Sequence, residues 1–456
     1  MRINELIEID ITDNGMNFEG IGRYNDKVVF VPGAIVGERV QARVTKDTHN
    51  YTLAKVENIL TKSDARKYEE CMSYHGCGGC VCQHMIYDKT LDVKENIVKN
   101  TLRKQGIDES LVESIYGMGI PYNYRNKVQY PVRNIKGRNS IGMFSEKSHK
   151  LIEVNNCAIQ DKDINEVAKF MFECINKEKI TCYNEELKTG DLKNIMVRKG
   201  IHTNELLCIF VMTNEKIARS KEMKNVVQTL TKKYDNIKGI VANINETKGN
   251  VILGNKNIGL YGEDRITDMI GDKTFYISTN SFFQVNTQMA EVLYIVLEQM
   301  LNLTKQETVL ELYSGVGTIG IFLADKAKEL YGVEIVEDAV KMAEENLKLN
   351  NVTNAKYIAG DAKIELEKLK NKNVYFDILI VDPPRKGLDE EGIETILKLK
   401  PKKIGYVSCN PATLARDLSR LSEMYNIEKL NLVDLFPWTS HVESVCVLKL
   451  KESAEM

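Results

Sequence analysis

From about residue 271 onward, the sequence alternates between short apolar runs typical of strands and longer runs typical of helices. The strand-like and helical runs follow one another as TVLELYSG, ELYGVEI, EDAVKMAEENLKLNN, DILIVDPP and KIGYVSCN. Alternating β and α segments with apolar strands indicate a parallel, doubly wound sheet covered by helices. The pattern therefore predicts an α/β domain over residues 271–456.

The remaining sequence divides into two further regions, as a length of 456 residues suggests. Residues 1–62 contain short strand-like runs separated by glycine turns, which predict a small β-barrel. An oligonucleotide-binding module and a purely structural cap fit this barrel equally well. Residues 63–270 predict an α+β domain, with strand-like pieces IMVRKG, ELLCIFVMT, GIVANINE and NVILG, and helices near YDKTLDVKENIVKNTLRKQG and ARSKEMKNVVQTLTKKY.

The charge distribution limits where a nucleic acid would bind. The formal net charge is −2, so an RNA-binding surface would have to be local. The segment YRNKVQYPVRNIKGR carries five cations and no acid, with Tyr122, Tyr124 and Tyr130 in or beside it. Such a run suits phosphate contact and base stacking, but a solvated hairpin face fits it slightly better. The acidic start and the absence of a long apolar run predict a cytoplasmic protein with no membrane contact.

A glycine turn between strand and helix predicts a cofactor site. Gly315 and Gly317 in VLELYSGVGTIGIFLA let the backbone approach a ligand at the helix N-terminus. Glu334 ends the next strand, where a carboxylate accepts ribose hydroxyls, and Asp361 follows the strand after it, near an adenine amino group. These three positions favour S-adenosylmethionine (SAM). The alternative, an NAD-binding Rossmann domain, fits the glycine pattern poorly.

Ten cysteines in a chain without secretory features predict core residues, metal ligands or a nucleophile rather than disulfides. Cys409 stands at the tip of the strand KIGYVS, just before Asn410 and Pro411. A strand tip of an α/β sheet lies at the carboxyl edge, where such folds carry their sites. The alternative interpretation is that Cys409 is a small, buried core residue, as free cysteines often are.

Five segments in order carry a family resemblance: FFQVNTQMAEVLY, ELYSGVGTIG, VDPPRKG, VSCNPATLARDL and FPWTSHVESVCVL. Together they resemble the RNA uracil-5-methyltransferase family over nearly the full chain. The resemblance implies a C-terminal class I Rossmann-like, SAM-dependent methyltransferase domain. The N-terminal barrel resembles a TRAM domain, and the cysteine segment CMSYHGCGGCVCQH is similar to that of the 23S ribosomal RNA branch.

The resemblance also implies roles for individual residues. Cys409 would add to C6 of uracil as a thiolate, and Glu443 would remove the C5 proton before the thiol leaves. His441 would share the strand face of Glu443. The residues implied around SAM and the target base are Gln284, Tyr313, Thr318, Glu334, Asp361 and Asp382. Ser314 replaces a cysteine that many relatives carry, which removes a rival thiol.

Cysteines in the second region predict a metal centre. The spacing of Cys71, Cys77 and Cys80, with glycines between them, lets three thiolates converge. The resemblance supplies Cys157 as the fourth ligand and favours [4Fe–4S], although four thiolates suit zinc as well. Cys82 is an extra thiol that could compete as the fourth ligand, but Cys157 is favoured. A structural role for the cluster is expected, because methyl transfer needs no electron.

The sequence thus predicts a monomeric enzyme that methylates C5 of a specific uridine in 23S ribosomal RNA, using SAM. Two alternatives remain open. One is a transfer-RNA uracil-5-methyltransferase. The other is an iron–sulfur RNA-binding protein that has lost catalysis.

Overall fold

Five strands at the N-terminus of the computed structural model, which describes residues 1–146 and 148–452, close into a barrel. Their order around it is β1-β2-β3-β5-β4. Alternation along the first strand turns Ile7, Ile9 and Ile11 into the interior and the intervening residues outward. The strands are β1 (Leu6–Asn14), β2 (Gly20–Tyr24), β3 (Lys27–Val31), β4 (Arg39–Asp47) and β5 (Tyr51–Thr61). The predicted N-terminal β-barrel is confirmed.

The middle of the chain forms a seven-stranded mixed sheet of order β13-β12-β11-β10-β7-β8-β9. Its strands are β7 (Lys127–Ile135), β8 (Arg138–Phe144), β9 (Leu151–Glu153), β10 (Leu192–Lys199), β11 (Leu206–Met212), β12 (Ile237–Ile244) and β13 (Lys256–Gly262). Helices α2 (Lys162–Lys177), α3 (Glu215–Ala218) and α4 (Lys221–Lys233) accompany it. Residues of α2 and α4 share one apolar core with one face of the sheet.

The prediction of a strand at NVILG is wrong. Residues 247–252 form a loop that the side chain of Asn245 holds: its Nδ2 donates to the carbonyls of Val251 (2.7 Å) and Ile252 (2.8 Å). Its Oδ1 accepts from the backbone N–H of Thr247 at 2.9 Å. An Asn that bonds its own neighbouring backbone offers the chain a turn in place of a ladder.

A two-stranded hairpin and a long helix lead into the C-terminal region. They are β14 (Arg265–Ile270), β15 (Lys273–Ser278) and α5 (Thr287–Leu301), whose first turn is capped by the Asn286 side chain on the N–H of Met289. Among the helices of residues 1–146 and 148–452, none has the length and apolar character that a bilayer span needs.

The C-terminal sheet has eight strands in the order β18-β17-β16-β19-β20-β22-β21-β6. The chain order is β16 (Thr308–Leu312), α6 (Thr318–Leu323), β17 (Glu329–Glu334), α7 (Glu337–Leu349), β18 (Ala355–Ala359), α8 (Ala362–Asn371), β19 (Ile378–Val381), α9 (Glu390–Leu399), β20 (Lys403–Ser408), α10 (Pro411–Leu421), β21 (Tyr425–Val433) and β22 (Glu443–Leu450). Short 3₁₀ turns occur at Glu109–Leu111 and Ala324–Lys326.

The strand directions in this sheet decide where its functional edge lies. Strands β16 to β20 run parallel to one another, as predicted, whereas β22 is antiparallel to both of its neighbours, β20 and β21. The carboxyl ends of the parallel strands therefore meet at one edge, and β22 begins at that same edge. The predicted α/β sheet is confirmed, with the antiparallel strand β22 inserted between β20 and β21.

An earlier part of the chain completes this sheet. Helix α1 (Tyr87–Lys104) packs against α10, and strand β6 (Val112–Tyr116) pairs in parallel with β21. Lys94 of α1 makes a fully buried ion pair with Asp434, with Nζ and Oδ1 2.6 Å apart. The boundaries 1–62, 63–270 and 271–456 remain a proposed division, in which α1 and β6 belong to the middle segment but pack on the third. Residues 453–456 lie outside the described residues.

Candidate active site

Cys409, Glu443 and Asp382 lie together at the carboxyl edge of the C-terminal sheet. Cys409 directly follows β20, and Asp382 directly follows the adjacent parallel strand β19. Glu443 is the first residue of β22 on the other side of β20. The β20–β22 ladder ends with Ser408 opposite Ser444, so Glu443 occupies the next position beside Cys409. Three chain segments thus place a thiol and two carboxyl groups next to one another at this edge of the sheet.

The surroundings of Cys409, Glu443 and Asp382 raise the pKa of all three side chains, which favours their protonated forms near neutral pH. Burial raises the pKa of Cys409 to about 11, and the charges of Glu443 and Asp382 add to this while Arg385 opposes it. Burial, followed by Asp382, raises the pKa of Glu443 to about 8; Arg385 and Lys94 oppose the shift. Burial also raises the pKa of Asp382 to about 7. Carboxyl groups that titrate near neutrality beside a thiol suit proton transfer and nucleophilic chemistry.

Helix α10 fixes the loop 382–388 that carries Asp382. Four polar side chains on one side of the helix bond this loop: those of Asn410, Thr413, Arg416 and Asp417. The amide of Asn410 donates to the carbonyl of Arg385 at 3.0 Å. The buried carboxylate of Asp417 accepts from the backbone N–H of Leu388 at 2.8 Å. The segment that follows Cys409 therefore also positions its neighbouring strand tip.

His441 does not share the strand face of Glu443, so that prediction is wrong. Strand β22 begins only at Glu443, because the preceding residues form the turn after Trp438, which adopts a positive φ of 67°. The guanidinium of Arg385 donates to Nε2 of His441 at 3.1 Å. Burial and Arg385 lower the pKa of His441 to about 4. A neutral imidazole therefore orients Arg385, a cation that lowers the pKa of Cys409.

A cavity of about 200 Å³ at the same edge is lined by Tyr313, Glu334 and Asp361, among others. Glu334 Oε2 accepts from the N–H of Gly315 at 3.0 Å, and its Oε1 accepts from Val336 at 2.9 Å. Asp361 caps α8 through Ile364. Three predicted cofactor residues from three consecutive strand ends thus share one cavity, as expected for a nucleoside-sized ligand at the edge of an α/β sheet.

The other three predicted cofactor residues lie outside the lining of this cavity. The hydroxyl of Thr318, at the start of α6, bonds the hydroxyl of buried Tyr294 at 2.8 Å. Gln284 precedes α5, and its carbonyl accepts from the Asn126 amide at 2.9 Å. Asp382 lies with Cys409, as described above. The nucleoside cavity and the thiol therefore occupy different positions along the same edge of the sheet.

A buried acid near this edge was missed by sequence reasoning. Glu311 of β16 is 2% exposed, and burial followed by the charge of Asp382 raises its pKa to about 8. The hydroxyl of Tyr357 contacts its Oε2 at 3.4 Å. The sequence signal for Glu311 is an acid inside the apolar run VLEL. An acid in a buried strand is unusual, because acids are rarely buried without a partner.

The basic run at residues 124–138 proves to be more than a solvated face. Burial, with Arg198 and Arg125, lowers the pKa of Lys127 to about 8. The Nε atoms of Arg125 and Arg198 are buried without a hydrogen-bond partner in the described part of the chain. Two of the tyrosines for which base stacking was the less favoured alternative, Tyr124 and Tyr130, are buried in the core. The run thus supplies crowded cations rather than aromatic platforms.

The predicted metal ligands lie close together, but not as a formed metal site. Within residues 1–146 and 148–452, no group of three or more His, Cys, Asp or Glu side chains is placed to hold a metal ion. Burial raises the pKa of Cys80 to about 12, and Cys157, Cys77 and Cys71 raise it further as neighbouring thiols. All ten cysteines of the chain are free thiols.

Donors around these sulfurs fit a thiolate-bound group. The N–H of Gly79 lies 3.4 Å from Cys77 Sγ, and the Gln83 amide lies 3.3 Å from Cys80 Sγ. Backbone N–H groups also bond Cys157. Hydrogen bonds to cysteine sulfurs are among the features that tune iron–sulfur clusters. Cys82 is fully buried and lies beside the Lys94–Asp434 ion pair.

Comparisons with known proteins agree with this architecture. A family model described as tRNA (Uracil-5-)-methyltransferase matches residues 86–451, and a TRAM domain model matches residues 2–56. The structure of the Pyrococcus abyssi tRNA (uracil-54, C5)-methyltransferase in complex with S-adenosyl-L-homocysteine is similar, with a TM-score of 0.76 and 29% identity. The match covers 97% of this chain and 99% of that chain.

Bacterial relatives match along the full length. An uncharacterized RNA methyltransferase of Clostridium tetani (strain Massachusetts / E88) is 40% identical over 98% of this chain and 96% of its own. One from Staphylococcus aureus (strain MSSA476) is 38% identical over 97% of each. The predictions of a TRAM barrel and a SAM-dependent methyltransferase fold are confirmed. The chain therefore belongs to the tRNA (uracil-5-)-methyltransferase family of SAM-dependent RNA methyltransferases.

Proposed function

We propose that this protein methylates C5 of a specific uridine in 23S ribosomal RNA through a covalent bond between Cys409 and C6 of the base. The observation that carries the proposal is the pairing of Cys409 and Glu443 at the end of the β20–β22 ladder, with Asp382 on the neighbouring strand tip. A nucleophile and a base that act on adjacent carbons of one uracil ring need this kind of juxtaposition.

In the proposed reaction, the Cys409 thiol loses its proton to solvent, the thiolate forms a bond to C6 and the electron pair of the C5–C6 double bond moves to C5. When bound, SAM would supply a methyl group activated by a sulfonium, and S-adenosylhomocysteine would leave. After C5 has gained the methyl group, the Glu443 carboxylate takes the C5 proton, the double bond re-forms and the C6–S bond breaks. Asp382, which titrates near neutrality, would hold a proton against the uracil ring.

The nucleoside cavity supports the positions proposed for SAM. Glu334 would exchange its bonds with the N–H groups of Gly315 and Val336 for bonds to the ribose hydroxyls. Asp361 would meet the adenine amino group and Tyr313 would cover the ring, because both line the same cavity. Gln284, Thr318 and Asp382 would belong to the end of the site nearer the target base.

The cysteine group supports a [4Fe–4S] cluster held by Cys71, Cys77, Cys80 and Cys157. Four neighbouring thiols with N–H donors on their sulfurs fit such a group, although zinc would be bound by the same atoms. Its proposed role is to fix the loop around Gly78, whose N–H bonds the carbonyl of Phe144 at 3.2 Å. No step of methyl transfer passes through it.

The proposed reaction predicts a rate that increases with pH. Glu443 accepts the C5 proton only as a carboxylate, and its pKa is raised to about 8. The methyl-transfer rate, measured as kcat/KM, should therefore rise as the pH is raised from about 6 to about 9. Arg385→Gln removes a cation that lowers the pKa of both Cys409 and Glu443, so it should move the rise to higher pH. A flat profile in the parent protein would contradict the role of Glu443.

Transfer-RNA methylation is the second candidate, and one observation favours it. The Pyrococcus abyssi structure, named as a transfer-RNA enzyme, matches 97% of this chain, a span that includes most of the barrel. The barrel therefore does not separate the two substrates. The 23S proposal depends on the likeness of the cysteine segment to the ribosomal branch.

A methyl-transfer assay decides between these substrates. The full-length protein, expected to act as a monomer, is incubated with labelled SAM and unmodified 23S ribosomal RNA or transfer RNA. Mass spectrometry then maps 5-methyluridine in both RNAs from cells lacking the protein. Label in 23S RNA, and a matching missing methyl group in the cells, support the proposal. Label only in transfer RNA supports the second candidate, and no label in either RNA contradicts both.

A further inference from the structure

A cavity of about 460 Å³ lies on the central sheet, away from the thiol and the nucleoside cavity. Its floor is the sheet face opposite α2 and α4, formed by alternate residues of β7 and by Asn194 of β10. The walls come from the loop 247–252, the end of β8 and the cysteine loop at Gly78. This volume falls in the roughly 300–1,000 Å³ range of small-ligand pockets.

The cavity offers flat, polarisable surfaces. The Arg133 guanidinium lies 5.4 Å from the centroid of the Phe144 ring and 5.5 Å from that of Tyr183. The His149 ring lies 5.3 Å from the Phe144 ring at 45°. Unpaired nucleic acid bases stack on such rings and on guanidinium planes.

The charge around the cavity is mainly positive. Among the described residues that line it, Arg133, Lys193 and Lys248 are cations, and Glu185 is the sole acid. Glu185 already lies 2.9 Å from Arg133 Nε. The buried Lys193 ammonium donates to the carbonyl of Thr247, which leaves the exposed Lys248 for a phosphate backbone that passes the rim.

Asn194 is the most informative residue of the lining. Its side chain lines the cavity, the residue is 7% exposed, and its amide has no hydrogen-bond partner in the described part of the chain. The amide of Gln129, on the neighbouring strand, donates to the sulfur of Met196 at 3.1 Å. The Asn194 amide is therefore open to a ligand in the cavity, and amides placed side by side match the donor and acceptor edge of a base, adenine above all.

We propose that this cavity binds an unpaired base of the RNA substrate, at a site separate from the one that would take the target uridine. The base stacks against Phe144 and Tyr183 and bonds the amides of Asn194 and Gln129. The proposal rests on the proposed function only in that the substrate is RNA. The proposal also assigns a role to the cysteine loop, because Gly78 of this loop forms part of the cavity wall.

Ultraviolet cross-linking of the full-length protein to protein-free ribosomal RNA and, in a parallel experiment, to transfer RNA tests this site. After nuclease and protease digestion, mass spectrometry should find nucleotide adducts on the peptides that contain Phe144 or Tyr183. Asn194→Ala should weaken binding of the same RNA about tenfold in a filter or fluorescence titration, and Gln129→Ala should do the same if the first variant does not fold. Gln228→Ala, which removes an exposed amide from α4, is the matched control and should leave the affinity unchanged.

Adducts confined to other peptides, or equal affinities for all four proteins, would overturn the proposal and leave a protein segment as the alternative occupant. Neither readout depends on methyl transfer. A protein that binds RNA here but transfers no methyl group would therefore refute the proposed reaction while leaving this site intact.

Discussion

Replacing Cys409 by alanine should lower the rate of methyl transfer to the target RNA by at least about 10³-fold, as loss of a nucleophile does in other enzymes. The reason is chemical: C5 of uracil becomes a nucleophile only after the Cys409 sulfur has bonded C6. Initial rates with labelled SAM and the RNA found in the mapping experiment measure the effect.

Two controls separate this effect from a loss of folding. Cys174→Ala removes a buried thiol from α2 and should keep the rate within about threefold of the parent. The affinity of Cys409→Ala for SAM should also be retained, because Cys409 is outside the lining of the cavity formed by Tyr313, Glu334 and Asp361. Transfer that survives in Cys409→Ala would exclude this thiol as the nucleophile.

The second large effect is expected for Glu443→Gln, which should accumulate a covalent protein–RNA adduct. The amide cannot take the C5 proton, so the methylated base stays bonded to Cys409 instead of being released. Gln has nearly the same shape as Glu, and Glu443 is 5% exposed, so the packing of the sheet edge is preserved. A denaturing gel with labelled RNA should show a band of the combined mass only when SAM is present.

The double variant Cys409→Ala/Glu443→Gln is the matched control for this adduct and should give none. Recovery of only free, unmethylated RNA from Glu443→Gln would show that Glu443 acts earlier than proton removal. Rapid turnover by this variant would assign the base to another group, and Asp382, the neighbouring carboxyl with a pKa near 7, would be the next to test.

Sequence reasoning was most successful for site residues whose position depends only on the end of one strand. Cys409, Glu334 and Asp361 each follow or end a strand, and alternation of strands and helices was enough to bring them to one edge. The pairing of Glu443 with Cys409 was not predictable from that pattern, since it depends on β22 entering antiparallel between β20 and β21. The misplacement of His441 has the same origin: the start of β22 is fixed by the preceding turn.

Long-range partners explain the other omissions. Strand β6 is five residues long and has one buried position, so its sequence VESIY gives a weak signal. It becomes a strand because β21 offers it an edge. The pocket amide of Asn194 is equally silent in the sequence, because the cavity that it lines also needs the loop 247–252 as a wall.

The joining of α1 and β6 to the last strands has a consequence for biosynthesis. Lys94 and Asp434 are 340 positions apart, so nearly the whole chain must leave the ribosome before they can meet. The barrel, whose contacts are local, is free to form early during translation. In a nascent chain that still lacks β21 and β22, the edge of the C-terminal sheet is unpaired. The apolar face of α1 is then exposed to solvent as well. Chaperone protection during this interval, rather than final stability, would then limit the yield of active protein.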